Sequence, residues 1–141
     1  SRAVREKRFK YIINHYSDLP GTPPADAARS DTFKEMQRLH AEGKLPAIQA
    51  TCFTAPRPVE ELYDLASDPY EMKNLAQDPA HHETLKRLRA KYEAWRTRTR
   101  DRLPARRTPD EFDRVTGKPT PARIRPRWSK AKMIKEGVLA P

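Results

Sequence analysis

The 141-residue sequence has little cysteine and little apolar material, and both shortages limit what it can be. Cys52 is its one cysteine, so no intrachain disulfide can form and no cysteine-based metal site is indicated. Apolar residues make up 36% of the chain and charged residues 34%, with a mean hydropathy of −0.97. Such a polar chain has either a small core with irregular segments or a core completed by a partner surface.

Long apolar runs are also missing. No stretch approaches the ~20 apolar residues of a membrane span, so none is predicted. The first ten residues, "SRAVREKRFK", are basic, but no apolar segment follows them as it would in a signal peptide. Since the sequence does not start with Met, we expect it to begin inside a longer polypeptide.

Positive charge is plentiful, at a net +10. A stand-alone basic module that binds nucleic acid or another polyanion is therefore one hypothesis. Residues 1–100 hold 18 Lys and Arg against 14 Asp and Glu, whereas residues 101–141 hold 11 against 5. The larger excess thus lies in the tail, which favours a solvated basic arm over a folded binding face.

The first half of the sequence predicts two strands, a loop and a helix. Apolar β-branched and aromatic residues over 2–16, interrupted at 6–8, indicate two strands joined by a tight turn. Three prolines predict a loop over 17–29. A helix then begins with Thr32 and Glu35 as a capping box, or with Ser30 as the alternative N-cap, and ends at Gly43. Its apolar face holds Phe33, Met36, Leu39 and His40.

The second half predicts a strand and a longer helix. Residues 45–53 are ambiguous between loop and strand, and "ELYDL" at 61–65 is typical of a short strand. Asp68-Pro69 and Asp78-Pro79 each pair a capping Asp with a Pro suited to the first helical position. We expect the first to open at most a turn or two, and the second to open a helix over 79–98. The apolar stripe of that helix is Leu85, Leu88, Tyr92 and Trp95.

The composition changes after residue 100, which predicts a domain over 1–100 and a basic, proline-rich extended tail over 101–141. Six of the fourteen prolines lie in this tail. Phe112, Ile124 and Trp128 are its candidate contacts with a neighbouring surface, and residues 130–139 could form a short basic helix.

Four groups of residues invite a chemical interpretation. Cys52 could be a nucleophile, but no His is near it in sequence, so an inert thiol is favoured. The four histidines have no zinc-binding spacing. The acids of 60–78 could hold a cation or act as an acid–base pair, but they lack the EF-hand spacing, and two of them are better explained as caps. "KRFKYIINH" could stack bases, although a half-buried strand with a basic outer face is favoured.

The stretch "RPVEELYDLASDPYEMKNLAQDP", followed by an amphipathic helix, resembles the C-terminal region of type I sulfatases. These are formylglycine-dependent enzymes of the alkaline-phosphatase-like superfamily. The matching positions are Glu61, Leu62, Tyr63, Asp64, Leu65, Asp68, Pro69, Glu71, Asn74 and Leu75. "VREKRFKYIINH" resembles the strand pair earlier in that region, and "FKEMQRLHAEGKL" is similar to bacterial sulfatases near the heparan N-sulfatase group. The resemblance covers residues 2 to about 100.

The resemblance implies an α+β fold, a small antiparallel sheet with a C-terminal amphipathic helix packed on it. This subdomain would dock on a sulfatase catalytic domain and help to shape its substrate cleft. The parent enzyme would hydrolyse sulfate esters or sulfamates on glycans, with formylglycine and Ca²⁺ in the catalytic domain, in the periplasm or outside the cell. His15 and Arg57 are candidate contacts to a sulfated sugar, with solvated surface as the alternative.

The sequence departs from the family where the nucleophile is concerned. Sulfatases carry a C-x-[PA]-x-R signature, but in "CFTAPR" Thr54 occupies the Pro/Ala position and Arg57 falls one place too late. Cys52 is therefore not the formylglycine precursor. The family's metal ligands and catalytic residues belong to the absent domain, so the chain is predicted to be inactive alone. Its expected partners are that domain and, through it, a sulfated glycan, and nucleic acid is not expected.

Overall fold

A computed structural model describes residues 1–21, 23–103, 107 and 109–122. These residues form two compact units, one of 1–21 with 36–103 and the other of 23–35 with 107 and 109–122. The strands are β1 (Arg2–Arg5), β2 (Phe9–Ile13) and β3 (Glu60–Asp64), and the α-helices are α1 (Ala25–Ala28), α2 (Asp31–Ala41) and α3 (His82–Thr99). Gln49–Phe53 and Pro79–His81 are 3-10 segments.

The first unit contains an antiparallel sheet in the order β1-β2-β3. Val4 lies opposite Tyr11, and Tyr11 lies opposite Leu62, so these three side chains share one face of the sheet. The predicted strand pair and the predicted "ELYDL" strand are both confirmed. The alternation of apolar and polar residues sets this register, because a slip of one residue would turn the apolar set to the other face.

Helix α3 packs against β1 and β2 and completes the core of this unit. Leu85, Leu88 and Tyr92 are buried along its inner stripe. The core residues are Tyr11, Leu62, Leu75, Ala76, Leu85, Leu88 and Tyr92, with Val4, Phe9 and Ile13 packed beside them. The α+β fold, with a small antiparallel sheet and a helix on it, is thereby confirmed.

The predicted Asp78-Pro79 cap is present, but it opens the 3-10 segment Pro79–His81, and α3 itself begins at His82. The far end of α3 also differs from the prediction. Asp78 accepts a hydrogen bond from the Ala80 backbone N–H at 2.9 Å, and Pro79 follows it in the first position. Trp95, predicted for the buried stripe, is 37% exposed. The reason is that the helix runs past the core after Tyr92, and residues 93–99 are all exposed.

Three other local predictions were wrong at least in part. The loop predicted over 17–29 contains the short helix α1, and the ambiguous 45–53 stretch, taken as loop or strand, ends in a 3-10 segment. Helix α2 is capped by Ser30, whose Oγ accepts the Phe33 N–H at 3.2 Å, and not by Thr32. Since Thr32 is already inside the helix, its hydroxyl cannot take the cap position.

The predicted stop at Gly43 is confirmed and has a definite geometry. The Gly43 N–H donates to the His40 carbonyl at 3.0 Å, and the Lys44 N–H donates to the Leu39 carbonyl at 2.8 Å. Gly43 has a φ of +68°. This is a Schellman motif, in which a residue in the left-handed region lets the chain turn back and satisfy the last carbonyls.

The second unit contains α1 and part of the predicted tail. Phe112 and Pro119 form an antiparallel bridge, so the chain folds back on itself here. The Arg29 guanidinium donates to the Gly117 carbonyl at 2.9 Å. Ile124, Trp128 and the helix predicted over 130–139 lie outside the described residues. The extended tail and the boundary at residue 100 stay predictions.

Candidate functional site

The stretch that carries the sulfatase resemblance closes the open edge of β3. The Asn74 Oδ1 accepts the backbone N–H groups of Leu62 and Ala76, both at 3.0 Å, and its Nδ2 donates to the Glu60 carbonyl at 3.1 Å. The Leu75 N–H donates to the Leu62 carbonyl at 2.8 Å. The chain after β3 therefore satisfies backbone groups that a fourth strand would otherwise bind.

Replacing Asn74 tests this role. We expect Asn74→Ala to lower the free energy of unfolding by about 1–3 kcal/mol, because the Leu62 N–H loses its partner next to the core. Denaturant unfolding of the purified chain measures this change. The exposed neighbour Lys73, changed to Ala, is the matched control and should stay within about 0.5 kcal/mol of the wild type. Equal losses in the two variants would contradict the role of Asn74.

Two acids of the same stretch shape the turn that brings Asn74 back to β3. Asp68 Oδ2 accepts the Lys73 N–H at 2.8 Å, and backbone N–H groups, Lys73 first, hold the pKa of this carboxyl below its usual range. Glu71 adopts a φ of +57° and accepts a hydrogen bond from the Lys10 ammonium at 2.5 Å. Asp68-Pro69 thus opens a turn, within the length that the sequence predicted.

Asp64 joins the end of β3 to the turn between β1 and β2. It is 4% exposed and accepts the Arg8 Nε and Nη2 hydrogens at 3.0 and 2.7 Å. The hydrogen bonds from Arg8 hold the pKa of Asp64 at about 2 despite its burial. The Leu65 N–H donates to the Arg8 carbonyl at 2.7 Å in the same place. Both oxygens of the Asp64 carboxylate thus accept hydrogen bonds that stabilise the fold.

The acidic pair at the start of β3 is also bound internally. Glu60 accepts the Tyr11 hydroxyl at 2.7 Å and the Arg89 Nε hydrogen at 2.6 Å. Glu61 accepts the Asn14 amide and the Tyr63 hydroxyl, each at 2.5 Å. Burial, together with the Glu60 carboxylate, raises the pKa of Tyr11. The cation or acid–base site that these carboxylates suggested is therefore replaced by a set of structural contacts.

Asn14 is a contributor that the sequence reasoning missed. It is 2% exposed, directly after β2, and its amide also donates to the Pro58 carbonyl at 2.9 Å. The sequence signal that could have identified Asn14 is its position immediately after a predicted strand. A buried side-chain amide there needs hydrogen-bond partners, because leaving it unpaired would destabilise the fold.

The described residues do not fit the family's catalytic groups. Among them, no three His, Cys, Asp or Glu side chains are arranged to hold a metal ion. The Cys52 thiol donates to the Gln49 carbonyl at 3.4 Å, and burial raises its pKa, so it is not a ready thiolate. We therefore derive no reaction step through Ca²⁺ or formylglycine in this part of the chain. Among the described residues there is also no helix that is long and apolar enough to cross a membrane.

The first unit has a cleft of about 360 Å³ beside the edge of β3. It is lined by residues before, within and after β3: Ile48, Thr51, Cys52, Thr54, Arg57, Pro58, Glu61, Tyr63, Glu71, Met72 and Asn74. Arg57 lies in this cleft, with its guanidinium donating to the Leu19 and Tyr16 carbonyls at 2.8 and 3.3 Å. The cleft could accept a side chain or a small polar group, with Arg57 as its fixed positive charge.

His15, the other candidate contact, is not among the residues that line this cleft. Its Nε2 lies 2.9 Å from the Tyr92 hydroxyl, which can donate to it when the ring is neutral. Burial, the N-terminal ammonium and Arg2 lower the pKa of His15. His15 and Arg57 therefore have different surroundings, and their role toward a sulfated sugar stays a prediction.

The environment of His15 predicts a pH-dependent stability. Because the folded pKa lies below the ordinary value of 6.5, the unfolded chain binds more protons between the two values. The free energy of unfolding should therefore fall as the pH is lowered through about 6.5. Denaturant unfolding at pH 7.5 and 5.5 should show a larger loss for the wild type than for His15→Gln. A His15→Gln variant with the same loss would contradict this assignment.

Most charges on the sheet side of α3 are paired. Glu6 accepts hydrogen bonds from Arg87 and Lys91, and these bonds, that from Arg87 first, hold its pKa at about 2. The Arg2 guanidinium donates twice to the Asp101 carboxylate, both times at 2.9 Å. These pairs use part of the basic charge of this unit to stabilise the fold.

Comparison with known proteins supports the sulfatase resemblance. No family model matches the chain. Over 97 residues the chain is 45% identical to an ulvan-active sulfatase of Formosa agariphila, an alignment that covers 68% of this chain and 16% of that protein. The chain therefore spans about a sixth of the length of this curated relative. The similarity supports a sulfatase C-terminal region, but it does not support the narrower placement near heparan N-sulfatases.

Proposed function

We propose that this chain is the C-terminal subdomain of a sulfatase whose catalytic domain is not part of the chain. The observation that carries this proposal is the 45% identity over 97 residues to a segment of a much longer sulfatase. The fold is consistent with it, because the stretch that resembles sulfatases turns back after β3 and closes the sheet edge through Asn74 and Leu75.

The subdomain would complete the fold of the parent enzyme and one wall of its substrate cleft. Ile48 and Met72, which line the cleft beside β3, are 41% and 54% exposed. Exposed apolar side chains around a concave surface are typical of a site that another protein surface covers. Arg57, held in the same cleft by backbone carbonyls, would offer a positive charge to a sulfated substrate.

The parent would hydrolyse sulfate esters or sulfamates on a glycan. Its catalytic domain would supply formylglycine and Ca²⁺, and it would work in the periplasm or outside the cell. The placement near bacterial heparan N-sulfatases is one candidate for its specificity. The matched relative is named an ulvan-active sulfatase, which makes ulvan the first substrate to test.

Two observations test the proposal together. Arylsulfatase activity of the purified 141-residue chain should be at background, because the described residues offer neither a metal site nor an activated thiol. The reading frame upstream of Ser1 should encode a C-x-[PA]-x-R motif. Robust turnover by the chain alone would refute the proposal that it is only part of an enzyme. An upstream reading frame without the motif would refute the proposal that the parent protein is a sulfatase.

A further inference from the structure

Helix α3 ends in a strained conformation at an arginine. The Asp101 N–H donates to the Arg96 carbonyl at 3.0 Å, and the Arg100 N–H donates to the Thr97 carbonyl at 3.3 Å. Arg100 has a φ of +55°, in the left-handed region. This is the same Schellman motif that ends α2, but there the residue in this region is Gly43.

Contacts among the described residues do not explain the strain at Arg100. A residue with a Cβ is less stable than glycine in the left-handed region, so glycine would serve the turn better. Glu71 adopts a similar φ, but its carboxylate pairs with Lys10. The Arg100 guanidinium has no hydrogen-bond or ion-pair partner among the described residues. An unexplained strained residue of this kind is a reason to look for a ligand of its side chain.

Arg100 lies in a polar cleft of about 240 Å³ at the end of α3. The cleft is lined by Glu93, Arg96, Thr97, Arg100, Asp101 and Arg102. Both acids are already paired, Asp101 with Arg2 at 2.9 Å and Glu93 with Arg96 at 3.2 Å. Within the part of the chain that the structure describes, Arg102 also has no partner, so Arg100 and Arg102 leave the cleft with uncompensated positive charge.

We propose that this cleft binds the sulfate or carboxylate groups of an anionic polysaccharide, through the guanidinium groups of Arg100 and Arg102. A guanidinium donates two parallel hydrogen bonds to an oxyanion, and the Thr97 hydroxyl adds a donor in the same cleft. None of the lining residues is aromatic, so the cleft lacks the stacking surface typical of single-strand nucleic-acid sites. The choice of a polysaccharide rests on the proposed sulfatase function.

The test is direct binding of the 141-residue chain to dextran sulfate, with uncharged dextran as the blank. The double variant Arg100→Gln/Arg102→Gln should weaken binding about tenfold or more, through the loss of charge-assisted hydrogen bonds. The control Lys73→Gln/Lys86→Gln removes the same charge outside the cleft and should weaken binding less than threefold. Equal weakening in both variants, or no binding by the wild type, would overturn the proposal.

A third variant separates the ligand role from a structural one. Arg100→Gly should raise the Tm by a few degrees, since it relieves the backbone strain, and should still weaken dextran sulfate binding. A lower Tm, or unchanged binding, would overturn the proposal. Binding to polygalacturonate, a polysaccharide with carboxylates and no sulfates, distinguishes carboxylate from sulfate recognition. Tighter binding to single-stranded DNA than to both polysaccharides would also overturn the proposal. These outcomes are independent of the upstream reading frame, so this site and the parentage can fail separately.

Discussion

Replacing Leu88 by Ala is expected to lower the free energy of unfolding by ~2–5 kcal/mol. Leu88 has no exposed surface and belongs to the same core cluster as Tyr11 and Leu62, so truncation leaves a cavity between α3 and the sheet. In a small, polar domain this is a large part of the total stability. Urea unfolding of the purified chain measures the change. An unchanged slope of the unfolding free energy against urea concentration verifies that the unfolding transition is the same.

Trp95 supplies the matched comparison on the same helix. The sequence places Trp95 and Leu88 on one apolar stripe, but Trp95 is 37% exposed and its ring contacts Tyr92 at the end of the core. Trp95→Ala should therefore cost less than about 1.5 kcal/mol, although it removes a larger side chain. A loss for Trp95→Ala as large as that for Leu88→Ala would contradict the packing of α3.

The elements that depend on local pattern could be predicted from the sequence. The strand pair at 2–16, the strand at 61–65 and α3 follow from residue alternation and helical spacing, which act over a few residues. The Asp78-Pro79 start of the 3-10 segment that leads into α3 and the Gly43 end of α2 follow from caps with fixed backbone requirements. For the same reason the α+β fold could be predicted in outline.

Features that depend on distant contacts could not be predicted. Asn74 and Leu62 are twelve positions apart, and nothing in either local pattern shows that a side-chain amide would close the sheet edge. The buried amide of Asn14 depends in the same way on Pro58 and Glu61. The apolar stripe of a helix shows which face is buried, but it does not show where the sheet beneath that face ends. The prediction that Trp95 is buried was wrong for this reason.

The acids of residues 60–78 show how a dense set of chemical groups can be structural. Their density in the sequence suggests a cation or acid–base site, although two of them are better explained as caps, and in the structure Asp64 binds Arg8, Glu60 binds Arg89 and Asp78 caps a helix. Each carboxylate stabilises a turn, an edge or a packing contact. The resemblance to sulfatases therefore rests on residues that stabilise the fold of this chain, and the proposed function assigns the catalytic chemistry to a part of the parent outside it.

The central claim is that this subdomain is needed for the parent sulfatase to work. The most direct measurement is sulfate release by the parent enzyme, with and without residues 1–141, using thermal melting to verify that the remaining domain is folded. We predict that removal lowers turnover roughly 100-fold or more, because the substrate cleft loses a wall that positions the substrate, and that adding the 141-residue chain restores part of it. A folded parent that keeps full turnover without these residues would contradict the claim.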